Sequence, residues 1–227
     1  MKWTVPRIWS GGTAVILGGG PSITQQFNIP EYVVDDVYKR RQTPAAYSPY
    51  LKAIHKQHVI GVNVAYKMGD WVDVVFFGDE STWLEDKENL LKFKGLRVTC
   101  SDNLNYIKRL KCLNRNKIKP FGLTIEPNAV SWNGNSGASA INFAIHTGVK
   151  RIILLGFDMQ VDEKGNQHWH KFYVGDTKTL ESTMSNHLKG FPQIKIDADA
   201  LGVQIINANP SSRIECFPKM NFKDIIL

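Results

Sequence analysis

Residues 14–22 read AVILGGGPS, and this stretch constrains the fold more than any other part of the chain. The apolar run Ala14–Leu17 is typical of a buried strand in a parallel sheet, although a buried helix segment has a similar composition. The three glycines that follow allow a sharp turn and a close approach between the backbone and a ligand. Ser22 is then placed to cap a following helix. The stretch therefore predicts a strand, a glycine turn and a helix.

A glycine turn in front of a helix favours an anion, because unpaired backbone N–H groups point out of the first helical turn. A nucleotide phosphate is the anion we expect. An ordinary strand-to-helix connection produces the same pattern, since a single glycine cluster is weak evidence for a ligand. The residues predicted to contact the nucleotide in this turn are Gly18, Gly19, Gly20, Pro21 and Ser22.

Further apolar segments alternate with polar or helix-like segments along the chain. Strands separated by helices indicate an α/β fold, which we expect to be one Rossmann-like three-layer domain (residues 1–227) with a mainly parallel sheet. The predicted strands are Ala14–Leu17, His58–Val64, Val72–Phe77, Gly95–Thr99, Arg151–Leu155 and Val203–Ile206, and the predicted helices are Ser136–Thr147, Thr179–Leu188 and Lys195–Leu201.

The composition agrees with one globular domain, since 43% of the residues are hydrophobic, 22% are charged, and no Pro/Gly/Ser-rich linker divides the chain. No apolar run is long enough to span a bilayer, and the N-terminus lacks the apolar core of a secretory signal. The three cysteines are odd in number and lack metal-type spacing, which indicates reduced thiols. We therefore expect a cytoplasmic protein. The sequence does not indicate whether the protein is a monomer or an oligomer.

The net charge of +7 favours polyanionic partners, among them nucleotides, nucleic acid and anionic glycans. The densest basic clusters are Lys39–Arg41 and the segment from Lys108 to Lys119. No recognised nucleic-acid-binding motif accompanies this charge, and an unspecialised basic surface is the alternative explanation.

Polar residues follow several predicted strands, and the carboxyl ends of parallel strands face one crevice where ligands bind. Asn63 lies at the end of the second strand, Asp79 after the third and Asp158 after the fifth. Carboxylates in such positions bind a ribose hydroxyl or a metal ion, or they cap a helix or pair with a cation. We predict that Asn63, Asp79 and Asp158 contact the nucleotide.

Residues 133–139 read NGNSGAS and form a second glycine-rich turn, which opens a helix with one apolar face. Ser136 is the predicted N-cap, and Gly137 allows a ligand to approach closely. We predict nucleotide contacts from Asn135, Ser136 and Gly137, with a tightly packed, capped helix as the structural alternative. Two glycine-rich helix starts in one sheet predict a nucleotide crevice.

Histidines supply the candidate general base. His168 and His170 flank Trp169, and His187 lies in a later predicted helix. A neutral imidazole removes a proton from an attacking hydroxyl near neutral pH. Tyr173 is placed to stack on a base or a sugar, or to fill the core beneath a loop. We predict no metal site, because the histidine pair has no Cys or carboxylate partner at a usual zinc spacing.

Three segments together resemble a known family: GGGPS (18–22), VIGVNVAY (59–66) and SGASAINFAIHTGVKRIILLGFDM (136–159). They resemble bacterial CMP-sialic-acid-dependent sialyltransferases of the lipooligosaccharide type. They also resemble the wider group of motility-accessory flagellin glycosyltransferases, 6-hydroxymethylpterin diphosphokinase-like domains and small phage proteins. The resemblance extends over residues 15–211. Gly19 is a departure from it, because the sialyltransferases have an asparagine in this turn.

The resemblance implies a glycosyltransferase that uses a nucleotide-activated sugar, of the CMP-sugar type in the sialyltransferases, and that requires no cofactor. The family's nucleotide contacts correspond to Gly18–Ser22, Asn63 and the pair Ser136-Gly137. Its catalytic histidine corresponds best to His187, with His168 and His170 as alternatives.

In the implied reaction, His187 deprotonates an acceptor hydroxyl, which then attacks the anomeric carbon of the sugar. The leaving phosphate is met by backbone N–H groups at Ser22 and Ser136, with help from Tyr173 or a nearby lysine.

Two other functions stay open from the sequence. The first is a pyrophosphokinase-like phosphotransferase, with Mg²⁺ held by Asp79 or Asp158. The second is a non-catalytic protein that binds a nucleotide, or that docks on nucleic acid through its basic surface.

Overall fold

The computed structural model describes residues 3–116, 120–172 and 180–226. The strands in this part of the chain are β1 (Thr13–Leu17), β2 (His58–Val62), β3 (Val74–Phe77), β4 (Leu96–Thr99), β5 (Lys111–Cys112), β6 (Asn114–Asn116), β7 (Ala129–Ser131), β8 (Arg151–Leu155) and β9 (Gln204–Asn207). The α-helices are α1 (Ser22–Gln26), α2 (Glu31–Tyr38), α3 (Glu80–Lys92), α4 (Ser136–His146), α5 (Leu180–Leu188) and α6 (Phe191–Ala200). Short 3₁₀ helices cover Pro44–Tyr50, Lys52–Ile54, Asn63–Met68, Asp102–Leu104 and Phe222–Asp224.

The main sheet has the order β5-β4-β3-β2-β1-β8-β9, and each of its described strand pairs is parallel. Val15 of β1, for example, lies opposite Val59 of β2 on one side and Ile153 of β8 on the other. The predicted α/β fold with a mainly parallel sheet is confirmed. The chain forms β1 first, then adds β2 to β5 on one side of it, and later adds β8 and β9 on the other side. The strand order therefore reverses at β1, and parallel sheets bind ligands at the carboxyl end of the strands at such a switch point.

Apolar side chains cover both faces of the central strands, which explains why β1 reads as a continuous apolar run instead of an alternating one. Val15 and Leu17 pack on the face covered by α2, α3 and the 3₁₀ helix Pro44–Tyr50. Ala14 and Ile16 pack on the face covered by α4 and α6. Each fully buried aliphatic side chain of this kind contributes about 1.5–3 kcal/mol to folding. The core therefore forms three layers with the sheet in the middle.

All six predicted strands are present: Arg151–Leu155 has the predicted bounds, and the other five have shifted ends. The second strand ends at Val62, because Asn63 has a φ of 53° and opens a 3₁₀ helix. The third begins at Val74 instead of Val72. The last helix begins at Phe191, one turn before the predicted Lys195, and Thr179 lies outside the described residues. Elements that the sequence did not predict are α2, α3, β5, β6 and β7.

No helix in the described ranges is both long and apolar enough to cross a membrane. Cys100, Cys112 and Cys216 are all free thiols.

Candidate functional site

A cleft of about 250 Å³ opens at the carboxyl ends of β1, β2, β3 and β8, beside the first turn of α4. Gly19 and Gly137, the centres of the two glycine-rich turns, both line it. Pro21 and Ser22 do not line it, and Tyr173 lies outside the described residues. The predicted site residues that the structure brings together in this cleft are Gly18, Gly19, Gly20, Asn63, Asp79, Asn135, Ser136, Gly137, Asp158, His168, His170 and His187.

Backbone hydrogen bonds hold the first glycine turn on two sides. The N–H of Gly18 donates to the carbonyl of Leu155 (2.7 Å), and the N–H of Gly20 donates to that of Gly156 (2.9 Å). From the other side, the Trp169 N–H donates to the Gly19 carbonyl (2.9 Å) and its indole Nε1 donates to the Gly18 carbonyl (3.0 Å). The turn is therefore a fixed wall of the cleft.

Close packing of protein groups accounts for two of the glycines. A Cβ on Gly19 would lie 2.6 Å from Nδ1 of His168, and a Cβ on Gly20 would lie 2.5 Å from the carboxylate of Asp158. Both distances are shorter than side chains tolerate, so the turn needs glycine here whether or not a ligand is bound. The ordinary structural explanation thus applies to Gly19 and Gly20 themselves, and evidence for a ligand has to come from the rest of the cleft.

Asp158 is buried, with 4% of its surface exposed, and it accepts three hydrogen bonds from the protein. Its carboxylate accepts from the Ser22 N–H (2.9 Å), from the Ser22 hydroxyl and from Nδ2 of Asn209 (2.9 Å). Burial raises the pKa of Asp158, and the bonds from Ser22 and Asn209 oppose that shift. Through these hydrogen bonds, Asp158 connects the end of β8 to the start of α1 and to the turn after β9.

This arrangement changes the role of Ser22. The N-cap position of α1 is Pro21, which makes no side-chain capping bond, so the prediction of Ser22 as a cap is wrong. Its N–H, expected to meet a phosphate, donates to Asp158, and so does its hydroxyl. We therefore do not assign Ser22 to a ligand.

The second glycine-rich turn is built by Asn135. Its Oδ1 accepts from the N–H of Gly137 (2.7 Å) and from that of Ala138 (3.3 Å), which makes Asn135 the N-cap of α4 instead of the predicted Ser136. The Ser136 hydroxyl instead accepts from the N–H of Gly78 (3.2 Å) and ties the helix to the end of β3. The cap leaves the positive end of the α4 dipole at the cleft wall.

Asn63 carries a signal for a ligand. It has a left-handed backbone, with a φ of 53°, and it lines the cleft. Its Oδ1 is buried, and no hydrogen-bond donor reaches it among the described residues. A buried acceptor without a donor costs about 1–3 kcal/mol, so such an atom is suited to accept a hydrogen bond from a bound molecule.

The three candidate histidines differ in their surroundings. Burial lowers the pKa of His168 to about 4, against a weaker opposing effect of a hydrogen bond with the Gly19 backbone. Burial also lowers the pKa of His170 to about 2, and the His170 ring stacks on that of His168 with centroids 5.0 Å apart. Nδ1 of His170 accepts from the N–H of Phe172 (3.2 Å), which gives His170 a structural position in the loop.

His187 is the least buried of the three candidate histidines. It is half-buried on α5 and lines the cleft. Burial lowers its pKa below the ordinary value, while the negative charge of Asp79 acts in the opposite direction. The imidazole is therefore neutral at pH 7 and able to accept a proton, with a carboxylate near enough to stabilise the imidazolium that results.

Sequence reasoning missed an aromatic wall of the cleft. Trp132 lines it, and the guanidinium of Arg115 lies 3.7 Å from the centre of the Trp132 ring. Arg115 also donates to the carbonyls of Cys100 (3.3 Å) and Gly78. The sequence shows Arg115 only as one member of a basic cluster, because nothing local indicates that it stacks on a residue 17 positions later.

Within residues 3–116, 120–172 and 180–226, no group of three or more His, Cys, Asp and Glu side chains is placed to hold a metal ion.

No family model and no curated protein matches the sequence. Among solved structures, the fold is similar to the sialyltransferase CstII from Campylobacter jejuni in complex with a substrate analogue, cytidine-5'-monophosphate (CMP). The identity is 13%, the alignment covers 93% of this chain and 86% of that chain, and the TM-score is 0.52. A variant of the sialyltransferase Cst-II in complex with CMP aligns at 11% identity over 95% of this chain and 89% of that chain, with a TM-score of 0.49. At 13% identity the first of these likenesses shows the fold alone, which is a sialyltransferase-like, Rossmann-like α/β fold.

Proposed function

We propose that this protein is a glycosyltransferase that binds a nucleotide-activated sugar in the cleft, with a CMP-sugar as the favoured donor. The observation that carries the proposal is the meeting of two glycine-rich turns and Asn63 in one cleft at the switch point of the sheet. The solved structure with this fold contains CMP, which supports the choice of nucleotide.

In this proposal, the donor phosphate lies at the first turn of α4. The Asn135 cap fixes that turn, and the helix dipole together with the close backbone at Gly137 favours negative charge there. Oδ1 of Asn63 accepts a hydrogen bond from a hydroxyl or amino group of the nucleoside. The loop that carries Trp169 holds the opposite wall in place through its bonds to the glycine turn.

His187 is the proposed general base. It takes the proton of the acceptor hydroxyl, whose oxygen attacks the anomeric carbon as the bond to the nucleotide phosphate breaks. The electron pair of that bond stays on the phosphate, where the start of α4 stabilises it. Asp79 is proposed to stabilise the His187 imidazolium. His168 is the alternative base, because it lines the same cleft.

Nucleotide binding is tested by thermal unfolding with cytidine, uridine, adenosine and guanosine monophosphates and their sugar conjugates. A ligand at 100 times its dissociation constant stabilises the fold by about 2.7 kcal/mol, which raises Tm by about 5–10 °C in a chain of this size. The variant Asn63→Gly keeps the left-handed backbone while removing the orphan acceptor, and we expect it to weaken binding about tenfold. Asn28→Gly is the matched control, because Asn28 has a φ of 49° and does not line the cleft. Equal affinity in both variants would contradict the role of Asn63.

The base is tested by His187→Ala. We expect turnover to fall by about 10²–10⁴-fold with nucleotide affinity nearly unchanged, because a general base acts on the acceptor proton and not on the donor nucleotide. His58→Ala is a control outside the cleft, since His58 stacks on Trp9. Unchanged turnover in His187→Ala would remove this residue from the mechanism, and His168→Ala would then be the next variant to measure.

Two further measurements distinguish the other two functions from that of a glycosyltransferase. The Mg²⁺-dependent phosphotransferase requires free carboxylates, but Asp158 already accepts three hydrogen bonds from the protein, and activity that survives EDTA would argue against it. Tight nucleotide binding without turnover over a broad panel of donors would favour a non-catalytic binding protein.

A further inference from the structure

The positive charge of the chain is concentrated in one segment. No acidic residue occurs between Asp102 and Glu126, and this stretch contains six of the 28 Lys and Arg residues of the chain. The stretch therefore carries a charge of +6, whereas the net charge of the whole chain is +7. Such a concentration creates a local positive potential that attracts a polyanion and raises its rate of association.

The described part of this segment places an aromatic ring among the cations. Tyr106 is 70% exposed, and Lys108, Arg109 and Lys111 are exposed beside it. We call these four residues the basic edge, because Lys111 lies in β5, the outermost strand on its side of the sheet. In the part of the chain that the structure describes, none of the three cations forms an ion pair, whereas Lys39 and Arg41 of the other basic cluster pair with Asp35 and Asp36.

The basic edge borders a groove of about 460 Å³. Trp3 and Asn105 line the groove together with Lys108 and Lys111. The groove thus combines cations, an amide and an indole, while the exposed ring of Tyr106 is next to Asn105 in the chain. A basic groove beside an exposed aromatic ring is a combination suited to single-stranded nucleic acid, since cations follow the phosphates and a ring stacks on a base.

The basic edge also leads towards the cleft. β5 continues almost directly into β6, so Lys111 and Arg115 are separated by at most about 13 Å of extended backbone. Arg115 lies on Trp132, and Trp132 lines the cleft. The basic edge therefore lies only a few residues along the chain from Arg115, which contacts a residue of the cleft wall.

We propose that the basic edge binds single-stranded nucleic acid through its phosphates and through stacking of a base on Tyr106. An anionic glycan would satisfy the three cations equally well, but it has no base for the exposed ring. This binding does not depend on the proposed transferase activity, and the two are measured separately.

The experiment measures the anisotropy of a labelled 20-nucleotide oligo(dT) and of the matching oligo(rU) over a range of salt concentrations. We expect the triple variant Lys108→Gln, Arg109→Gln, Lys111→Gln to lose about tenfold or more in affinity at low salt. The slope of log K against log salt should become shallower by about 2, because three phosphate contacts are removed. The matched control is Lys52→Gln, Lys56→Gln, Lys87→Gln, which removes the same charge from exposed lysines outside the segment. A similar loss of affinity in the control would overturn the proposal, because net charge alone would then explain binding.

Stacking is tested by Tyr106→Ala, which should weaken oligonucleotide binding about fivefold or more, while Tyr106→Phe keeps the ring and the affinity. Heparin, a polyanion without bases, should bind Tyr106→Ala and the unchanged protein equally. If Tyr106→Ala leaves oligonucleotide affinity unchanged, the surface is a general polyanion site and the nucleic-acid proposal is wrong. Urea midpoints that match among all variants show that the fold is intact, and nucleotide-induced thermal shifts report separately on the cleft.

Discussion

The Asp158 carboxylate connects three parts of the chain that are far apart in sequence. It is buried, and it accepts hydrogen bonds from Ser22 on α1 and from Asn209 after β9. A carboxylate that receives several hydrogen bonds tolerates burial, because those bonds replace the ones it loses to water. Its position at the cleft wall therefore serves to hold the glycine turn, since Gly20 has no room for a side chain beside it.

Asp158→Ala should lower the free energy of unfolding by about 2–4 kcal/mol, because it leaves the buried Ser22 N–H and the Asn209 amide without their acceptor. Urea denaturation measures this change. Asp199→Ala is the control, because Asp199 pairs with Lys195 on the exposed side of α6 and should change stability by less than about 1 kcal/mol. A loss of stability in Asp158→Ala as small as in the control would contradict the role assigned to Asp158.

Single residues differ in how well the sequence predicts them. Asn63, Asp79 and Asp158 were predicted at one crevice because each lies at the end of a predicted strand or just after it, and strands of a parallel sheet end on the same side. The bond between Ser22 and Asp158 was not predictable, because 136 positions separate the two residues. The same holds for Arg115 on Trp132. Local pattern therefore identifies many of the residues that line the cleft, although it misses Trp132 and wrongly includes Pro21 and Ser22, whereas the partners of these residues depend on packing over the whole fold.

At the scale of elements, α4 connects the sheet to the cleft. Its buried face packs Phe143 against the core, and its first turn carries Asn135 and Gly137 at the cleft wall. A Cβ on Gly137 would lie 2.8 Å from the buried Phe157 ring, so the helix start is pressed against the end of β8. The position of the proposed phosphate site is thus fixed by the core and not by a mobile loop.

Asn135→Ala should destabilise the protein by about 1 kcal/mol and weaken nucleotide binding, because it removes the cap that fixes the first turn of α4. Ser136→Ala is the informative comparison: it leaves the Asn135 cap in place and removes only the bond from Gly78. Urea denaturation and nucleotide-induced thermal shifts measure both effects. If Ser136→Ala proves the more damaging to helix stability, the assignment of the cap to Asn135 is incorrect.

The short strands and α3 were missed for different physical reasons. β5, β6 and β7 have only two or three residues each, too few to show a period. α3 is polar and is interrupted at Asp86, which has a non-helical backbone. The buried Asp86 carboxylate accepts from the Tyr66 hydroxyl (2.5 Å), Lys67 Nζ (2.8 Å) and Asn89 Nδ2 (2.7 Å). A contact between distant residues therefore overrides the local helix signal there.

At the scale of the whole molecule, the loop with the paired histidines joins the site to the core. Trp169 is almost fully buried, accepts a hydrogen bond from the Tyr47 hydroxyl on its carbonyl (3.3 Å) and packs edge-on against the Tyr47 ring. On either side of it, His168 and His170 are held in surroundings that oppose their charged forms. Stability of the fold and integrity of the cleft therefore depend on the same loop and should respond together to acid.

The free energy of unfolding should fall as the pH drops below about 6.5. The pKa values of His168 and His170 are lowered to about 4 and about 2 by burial, so below the ordinary histidine value the unfolded chain binds protons that the folded protein does not. Above pH 6.5 the contributions of both histidines to the free energy of unfolding are fully present. As the pH falls below 6.5, each histidine lowers the free energy of unfolding by about 1.4 kcal/mol per pH unit. For His168 this loss extends down to about pH 4, and for His170 it continues to lower pH.

Urea denaturation at a series of pH values measures the slope of the free energy of unfolding against pH. The double variant His168→Asn, His170→Asn should flatten it, leaving the smaller slope due to the other histidines whose pKa values burial lowers, such as His146 and His187. An unchanged slope in the double variant would show that the two rings are not buried in neutral form, and the loop would then have to lie further from the glycine turn than the structure has it.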